Sequence, residues 1–223
     1  MMKLALVLIS LLLFNTTVLA GTWTRTDRTT VTFEGNIEPD EYSRFEKVFD
    51  REVETLIVNS GGGETMAAIK IAKKVYDQKI DVIVRETCLS SCANYIFPAG
   101  SRRIIDNGIV GFHGNMQACF GGSKLPGFEK ELRDAGYTDR QVRATIRRFK
   151  KNFKIEKRFL KKLGVSQELF EISCTDDKGM KDGKAYYLLL PLPETFERFG
   201  IYGVEGEQSQ DVIKRLKIPV AIW

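Results

Sequence analysis

The sequence predicts an α/β protein with a mostly parallel β-sheet and helices on its faces. Short apolar, β-branched runs alternate with segments whose apolar residues recur every three or four positions, which is the order strand, helix, strand. Glycine-rich stretches separate several of these segments and are typical of tight connections. The chain has 223 residues, of which 43% are hydrophobic, so one sizeable core can form.

The first twenty residues are typical of a secretory signal peptide. Lys3 precedes an apolar run over residues 4–14, and Val18 and Ala20 are small residues at the positions that signal peptidases prefer. The run has eleven residues, whereas a membrane-spanning helix needs roughly 20. We therefore expect a periplasmic or secreted protein, cleaved after Ala20, with residues 21–223 as a single domain. An uncleaved N-terminal anchor is the alternative.

The first half of the mature chain contains the clearest strand and helix patterns. Residues 30–37 alternate apolar and polar side chains, which predicts a strand, and a helix is expected after Pro39. Residues 54–59 and 80–85 are apolar, β-branched runs typical of strands buried on both faces. Between these runs, residues 65–78 carry apolar side chains at helical spacing. The polar start of the mature chain is expected to be irregular.

The middle of the chain is predicted to hold a short helix and two short strands. Residues 92–97 are apolar and helical, and Pro98 is expected to stop the helix. Residues 102–105 and 109–112 are expected to form separate strands. Residues 114–137 are glycine-rich and carry little periodic pattern.

A long amphipathic helix is predicted over residues 138–163. Thr138 and Gln141 fit a capping box at its start, an apolar stripe follows, and Gly164 ends it. After it come a short helix from Ser166, a polar loop, an apolar run, a second short helix and a short strand.

Positive charge is concentrated on the predicted long helix. Residues 140–162 contain eleven Lys or Arg and one Glu, while the chain's net charge is only +5, or +4 without Lys3. This balance is too mild to imply nucleic acid, and no base-recognition motif is present, so no nucleic-acid partner is expected. The simplest interpretation is a solvated helix face. Contact with an anionic membrane surface or with cell-wall polymers is the alternative.

Four cysteines, an even number in a chain with an export signal, predict two disulfides. Three connectivities are possible, and the close spacing of Cys88 and Cys92 favours pairing these two, which leaves Cys119 with Cys174. A zinc site from Cys88, Cys92, His113 and Cys119 is a weaker alternative, because its ligands are widely spaced and the compartment is oxidising.

Three short segments carry residue types suited to nucleophilic catalysis. The glycine-rich turn at 59–63 follows a buried strand and can present backbone N–H groups to an oxyanion. Ser90 lies between Cys88 and Cys92 at the predicted start of a helix, where a nucleophile is favoured. His113 is the chain's only histidine, and an imidazole pKa near 6.5 suits a general base. The alternatives are a plain turn, a serine helix cap and a structural histidine.

Together these segments resemble the family of the Clp protease proteolytic subunit and signal-peptide peptidase A, within the crotonase-like superfamily. Residues 59–63, Asn-Ser-Gly-Gly-Gly, resemble the family's Asn-Ser-Pro-Gly-Gly, with Gly61 in place of proline. Residues 99–103 resemble the segment between nucleophile and histidine, and residues 111–114, Gly-Phe-His-Gly, resemble the histidine motif. The resemblance covers residues 30–114, and continues more loosely to about Val204.

The resemblance implies a crotonase-like fold of repeated β-β-α units, with the long helix as an extension used in assembly or substrate contact. It implies a serine peptidase without a cofactor that cleaves peptides, or flexible and unfolded protein segments. No feature for docking an ATPase is found, so proteolysis would be independent of ATP. Relatives assemble into rings or trimers, so a homo-oligomer is expected. The alternative is an inactive binding or assembly module on the same fold.

Catalytic roles are carried over from the family to individual residues. Ser90 would be the nucleophile and His113 its base. The backbone N–H groups of Gly62 or Gly63, together with that of Ser91, would form the oxyanion hole. The family's third residue is an aspartate downstream of the long helix, for which the sequence offers three candidates, with Asp177 preferred: Asp176, Asp177 and Asp182.

Overall fold

A six-stranded mixed β-sheet forms the centre of the protein. The computed structural model describes residues 21–172, 179–181 and 184–223. The predicted signal peptide at residues 1–20 lies outside them. In chain order the described strands are β1 (Thr22–Arg25), β2 (Thr30–Glu34), β3 (Thr55–Ser60), β4 (Asp81–Leu89), β5 (Arg103–Gly111), β6 (Gly179–Lys181), β7 (Lys184–Tyr186), β8 (Leu188–Leu190), β9 (Val204–Glu205) and β10 (Val220–Ile222).

Helices alternate with these strands in the first half of the chain and dominate the second. The described α-helices are α1 (Glu41–Phe45), α2 (Thr65–Gln78), α3 (Phe97–Ala99), α4 (Met116–Phe120), α5 (Leu125–Asp134), α6 (Asp139–Leu163), α7 (Glu168–Glu171), α8 (Pro193–Arg198) and α9 (Gln210–Arg215). A π-helix, Cys92–Ile96, precedes α3, and a 3-10 helix, Gly122–Lys124, precedes α5. No helix in the described ranges is long and apolar enough to cross a membrane.

The order of the sheet is β1-β2-β3-β4-β5-β9, and the α/β prediction is confirmed. Strands β2, β3, β4, β5 and β9 pair in parallel, while β1 pairs antiparallel with β2. Strands β2, β3, β4 and β5 have buried apolar residues, and the buried face of α2 packs into the same core. Two small sheets, β8 with β10 and β6 with β7, complete the pairing of the described strands.

Strand β1 lies in the segment that was expected to be irregular. Its residues alternate exposed and half-buried side chains, and only Trp23 marks a side that packs. The Trp23 indole stacks on Phe33, with ring centroids 4.4 Å apart, and its N–H donates to the buried Glu41 carboxylate at 2.7 Å. One aromatic residue thus decides the pairing of a polar strand, which periodicity alone does not reveal.

Strand β5 is continuous, so the prediction of two separate strands at 102–105 and 109–112 was wrong. The polar residues at its centre are accommodated by a left-handed Asn107, with φ 53°. The neighbouring strand β4 shifts register around Glu86, which is also left-handed, with φ 60°. Matched irregularities in two neighbouring strands let the ladder continue through a sequence that looks like a turn.

The segment 114–137 is helical, contrary to its weak pattern. Helix α5 has no fully buried residue, and its apolar side consists of only three half-buried side chains, Leu125, Phe128 and Leu132, which is a short pattern to predict from. It is held to α6 by aromatic contacts, with Phe128 4.9 Å from Phe149 between ring centroids. Phe120 of α4 contacts both rings, at 5.1 and 5.8 Å.

The long helix was predicted correctly to within one residue. Thr138 and Gln141 form the reciprocal capping box, and Gly164 ends the helix in a left-handed conformation with φ 78°. Val142, Ile146 and other apolar residues of the predicted stripe are buried. The buried face also contains Glu156, an acid that the apolar stripe does not predict.

Candidate active site

Three predicted segments meet at one edge of the sheet. The glycine-rich turn follows β3, the turn with Ser90 follows β4, and His113 lies two residues beyond β5. Because β3, β4 and β5 are adjacent and parallel, their carboxyl ends lie side by side, where α/β proteins commonly bind ligands. The fold thereby brings together residues that are 23 positions apart in the chain.

Ser90 occupies a strained backbone position. Its φ is 53°, in the left-handed region that residues other than glycine rarely adopt. Its N–H donates to the Gly111 carbonyl at 3.0 Å, and its own carbonyl accepts the Asn94 N–H at 2.7 Å. These bonds hold the turn between the end of β5 and the helix that follows. Strain of this kind is concentrated at functional sites.

The Cys88–Cys92 disulfide encloses Ser90, and this predicted bond is confirmed. Both cysteines are fully buried. Because they are bonded to each other, neither is available as a thiolate ligand, which removes the basis of the alternative zinc site. Cys119 is also disulfide-bonded. Cys174, its expected partner, lies outside the described residues.

The helix after Ser90 is a π-helix, where the sequence indicated an ordinary helix ending before Pro98. Helical structure continues through α3, which contains Pro98 near its start. Neither serine caps this helix through its side chain. The Ser91 hydroxyl donates to the Gly63 carbonyl at 2.8 Å, and so links the two turns. π-Helical turns are frequent at functional sites because they re-aim side chains.

His113 contacts the proposed nucleophile directly. Its Nε2 lies 2.6 Å from the Ser90 Oγ, within hydrogen-bonding distance. The preceding residue, Phe112, exchanges two backbone hydrogen bonds of 2.8 Å with Leu189, and the following Gly114 carbonyl accepts the Asn94 amide at 2.9 Å. The imidazole is therefore presented by a loop that is fixed on both sides.

The state of the imidazole suits a base. The side chain is exposed, yet the protein around it displaces enough water to lower the pKa of His113 below its ordinary value. The neutral form therefore prevails near neutral pH, and its Nε2 can accept the Ser90 proton. Within the described residues the ring forms no hydrogen bond besides the one to Ser90. Asp176, Asp177 and Asp182, the candidate third residues, lie outside that part of the chain.

The glycine-rich turn contacts the serine turn closely. Gly62 has a φ of 90°, and a Cβ built there would lie 2.7 Å from the Ser90 Cβ. The Gly62 N–H donates to the Ser60 Oγ at 3.1 Å, so it is already engaged. The N–H groups of Gly63 and Ser91 take part in none of the hydrogen bonds among the described residues. Of the three predicted oxyanion donors, these two can therefore bind a ligand without losing a partner.

Several polar residues around the site were not predicted. Asn94 is buried and links the serine turn to Gly114, while its Oδ1 has no hydrogen-bond partner among the residues that the structure describes. Tyr95 of the π-helix donates to the carboxylate of Glu156. A signal for Glu156 was present in the sequence, since it is the only acid among residues 140–162 and falls on the apolar stripe. Asn94 and Tyr95 gave no such signal, because they belong to a short apolar run.

Comparison of the chain with protein-family models gives no match, and comparison with curated protein sequences gives none either.

Proposed function

We propose that this protein is an exported serine peptidase in which Ser90 is the nucleophile and His113 the general base. The contact of 2.6 Å between the Ser90 Oγ and the His113 Nε2 carries the proposal. It joins the only imidazole of the chain to a serine held in a left-handed turn, which is how a nucleophile is exposed and activated.

In the proposed reaction, the Ser90 Oγ attacks the carbonyl carbon of a peptide bond while its proton moves to the His113 Nε2. The negative charge on the carbonyl oxygen is stabilised by the N–H groups of Gly63 and Ser91. The C–N bond then breaks, and His113 returns the proton to the leaving amine. Water, deprotonated by the same histidine, hydrolyses the acyl-enzyme and releases Ser90.

We propose that the fold is crotonase-like, of the kind that the Clp protease subunit and signal-peptide peptidase A share. The support is the placement of the three motifs at the ends of consecutive parallel strands, together with the long helix α6 that follows the histidine. The disulfide around Ser90 supports an oxidising compartment, hence a periplasmic or secreted protein. Extended peptides or unfolded segments are the expected substrates, and a homo-oligomer the expected assembly.

The test is covalent labelling by a fluorophosphonate, which reacts with activated serines. We expect labelling of the wild-type protein, and its loss in Ser90→Ala and in His113→Ala. Ser43→Ala is the matched control, because it removes an exposed serine hydroxyl on α1, outside the turns that form the candidate site. Labelling that persists in Ser90→Ala, or fails in a folded wild type, would overturn the proposal.

A second candidate function is a binding module without catalysis. One observation favours it: within the described residues no carboxylate contacts the His113 ring, so the group that usually orients a catalytic histidine is missing from that part of the chain. The same labelling experiment decides between the two functions. An unlabelled but folded protein would favour the binding module.

A further inference from the structure

The outer face of α6 is unusually rich in unpaired cations. All eleven Lys and Arg residues at 140–162 are exposed, whereas the only acid of that stretch, Glu156, is completely buried. One of the eleven, Lys162, forms an ion pair, at 2.6 Å to Asp77 of α2. The other ten have no acidic partner within 4.0 Å among the described residues. The acids of a solvated surface helix usually balance such charges, and here they do not.

The cations form one broad array along the helix. From the first to the last, they span 23 residues of one uninterrupted helix, or about 33 Å along its axis. The opposite face of α6 is buried, and the helix packs on α2, α4 and α5, so its charged side faces outward. Glu129 of α5 lines the same surface pocket as Arg143 and Arg147, but its ion pair is with Arg133.

We propose that this face, which we name the α6 cationic face, docks the protein on an anionic lipid surface. Charge complementarity favours an anionic partner, and cations repeated along the whole length of one helix suit an extended anionic surface, since many of them can approach it together. Tyr137, next to the start of α6, is 47% exposed and is of a type enriched at membrane interfaces. The docking is peripheral, because the apolar side of α6 is occupied by the protein core.

Vesicle co-sedimentation tests the proposal, with protein purified as the cell processes it. We expect binding to phosphatidylglycerol-containing phosphatidylcholine vesicles, little binding to pure phosphatidylcholine vesicles, and release at high salt. In the variant Lys151→Gln/Lys154→Gln/Arg158→Gln, partitioning should fall on the order of 100-fold, since each cation near such a surface contributes about fivefold. These three residues lie on the outer side of adjacent helical turns.

The matched control removes two lysines and one arginine elsewhere: Lys47→Gln/Arg51→Gln/Lys217→Gln. All three are exposed and lie outside α6, so the net charge changes equally. The control should bind like the wild type. Equal loss in both variants would attribute binding to net charge and overturn the proposal. Failure to bind anionic vesicles, with retention on a soluble polyanion such as heparin, would overturn it in favour of a polymer.

A second inference concerns the buried side of the same helix. The Glu156 carboxylate accepts the Tyr95 hydroxyl and the N–H groups of Met116 and Gln117, the latter two at 3.2 and 2.9 Å. Tyr95 belongs to the π-helix that follows Ser90, and Met116 begins α4, three residues after His113. One side chain of α6 thus binds both segments that carry the proposed catalytic pair.

We infer that Glu156 is a positioning residue that sets the distance between Ser90 and His113. The inference rests on the proposed function. A buried carboxylate without these donors would be costly, so its hydrogen bonds restrain both segments strongly. Among the described residues Glu156 forms no hydrogen bond to Ser90 or His113, so it would act on the pair only through the two segments that it binds.

The variants Glu156→Gln and Leu160→Ala test this inference. Glutamine keeps the shape of the side chain but replaces one of its two acceptor oxygens with an NH₂ donor, while Leu160→Ala weakens the buried face of α6 without removing any of these hydrogen bonds. Fluorophosphonate labelling of folded protein should slow about tenfold in Glu156→Gln and remain unchanged in Leu160→Ala, as expected for a lost charged hydrogen bond.

A second readout does not need an active serine. Because His113 is the only histidine, its imidazole proton resonance can be followed by NMR without assignment by mutation. Its titration midpoint should move in Glu156→Gln and not in Leu160→Ala. If the wild-type protein is not labelled but the His113 midpoint still shifts in Glu156→Gln, the proposed function alone is refuted. If Glu156→Gln is labelled as fast as the wild type and has the same His113 midpoint, the positioning role alone is refuted.

Discussion

Two neighbouring turns at the same edge of the sheet reach the left-handed region by different means. The turn after β3 uses glycines, with φ angles of 90° at Gly62 and 140° at Gly63, whereas the turn after β4 uses Ser90 at 53°. Glycine adopts such angles at little cost, while another residue loses about 1–2 kcal/mol. The two glycines of the first turn can offer a ligand only backbone groups. The second turn keeps a strained conformation at Ser90, where the proposed chemistry needs a side chain.

The serine turn is supported on several sides. The disulfide encloses Ser90, Gly111 accepts its N–H, and Gly62 packs against its Cβ. The two turns are joined by Asn59, whose Oδ1 accepts both the N–H and the hydroxyl of Thr87 at the end of β4. Variants that remove these contacts one at a time therefore measure how far the conformation of the serine turn depends on the disulfide and on the glycine turn.

The largest effect is expected from Gly62→Ala. The new Cβ would lie 2.5 Å from the Leu89 carbonyl oxygen and 2.8 Å from the Ser91 nitrogen, both backbone atoms that cannot move aside cheaply. We expect the free energy of unfolding, measured with urea, to fall by about 3 kcal/mol or more.

Gly203→Ala is the control for that variant. Gly203 has a φ of 62°, and a Cβ there would meet no heavy atom within 4 Å. The cost should be limited to the backbone conformation, about 1–2 kcal/mol. Equal losses in the two variants would show that contact between the turns adds nothing.

The next effect is expected from removal of the disulfide in Cys88→Ala/Cys92→Ala. Closing so short a loop stabilises the folded chain by about 2 kcal/mol through chain entropy. The free energy of unfolding, measured with urea, should therefore fall by that amount when the disulfide is removed. Ser90 labelling should slow as well, because the turn can relax from its left-handed conformation. Unchanged labelling in this variant would mean that the hydrogen bonds alone hold the turn.

A smaller effect, this time a gain in stability, is expected when two replacements of Ser90 are compared. Ser90→Gly should be more stable than Ser90→Ala by about 1 kcal/mol, because glycine relieves the left-handed strain that alanine retains. Both variants lack the nucleophile, so thermal or urea unfolding is the measurement. If alanine proves as stable as glycine, the strain assigned to this position is absent.

The smallest effect concerns how stability depends on pH through His113. Desolvation lowers the pKa of His113 in the folded chain, so the unfolded chain takes up a proton at higher pH. His113 therefore contributes to the stability of the folded chain above the pKa that it has in the unfolded chain. This contribution is lost as the pH falls through the pKa that it has in the folded chain. NMR should give a midpoint below that of the same chain unfolded in urea, and Ser90 labelling should follow it. A raised midpoint would contradict the burial argument.

The sequence was informative where chemistry and chain spacing coincide. Ser90, His113 and the glycine turn stand in short motifs at strand ends, and adjacent parallel strands bring such ends together. Thr138, Gln141 and Gly164 fixed the limits of α6 because capping is a local interaction. The Cys88–Cys92 pair was predictable for the same reason, since one turn separates the two residues.

Features that depend on distant partners were not predictable. Strand β1 depends on the stacking of Trp23 on Phe33, and α5 depends on aromatic contacts with α6. The continuous β5 depends on a matching irregularity at Glu86 in the strand beside it. The hydrogen bond of Tyr95 to Glu156 joins residues 61 positions apart in the chain, so no local pattern reveals it.

The pairing of Phe112 with Leu189 has a consequence for the order of events during synthesis. The loop that presents His113 is fixed on one side by residue 189, which is made long after residue 113. A partly made chain can contain the serine turn and its histidine, yet lack the strand against which the histidine loop is aligned. Under the proposed function, a nascent chain would thus stay harmless to its surroundings until its last elements have been added and docked.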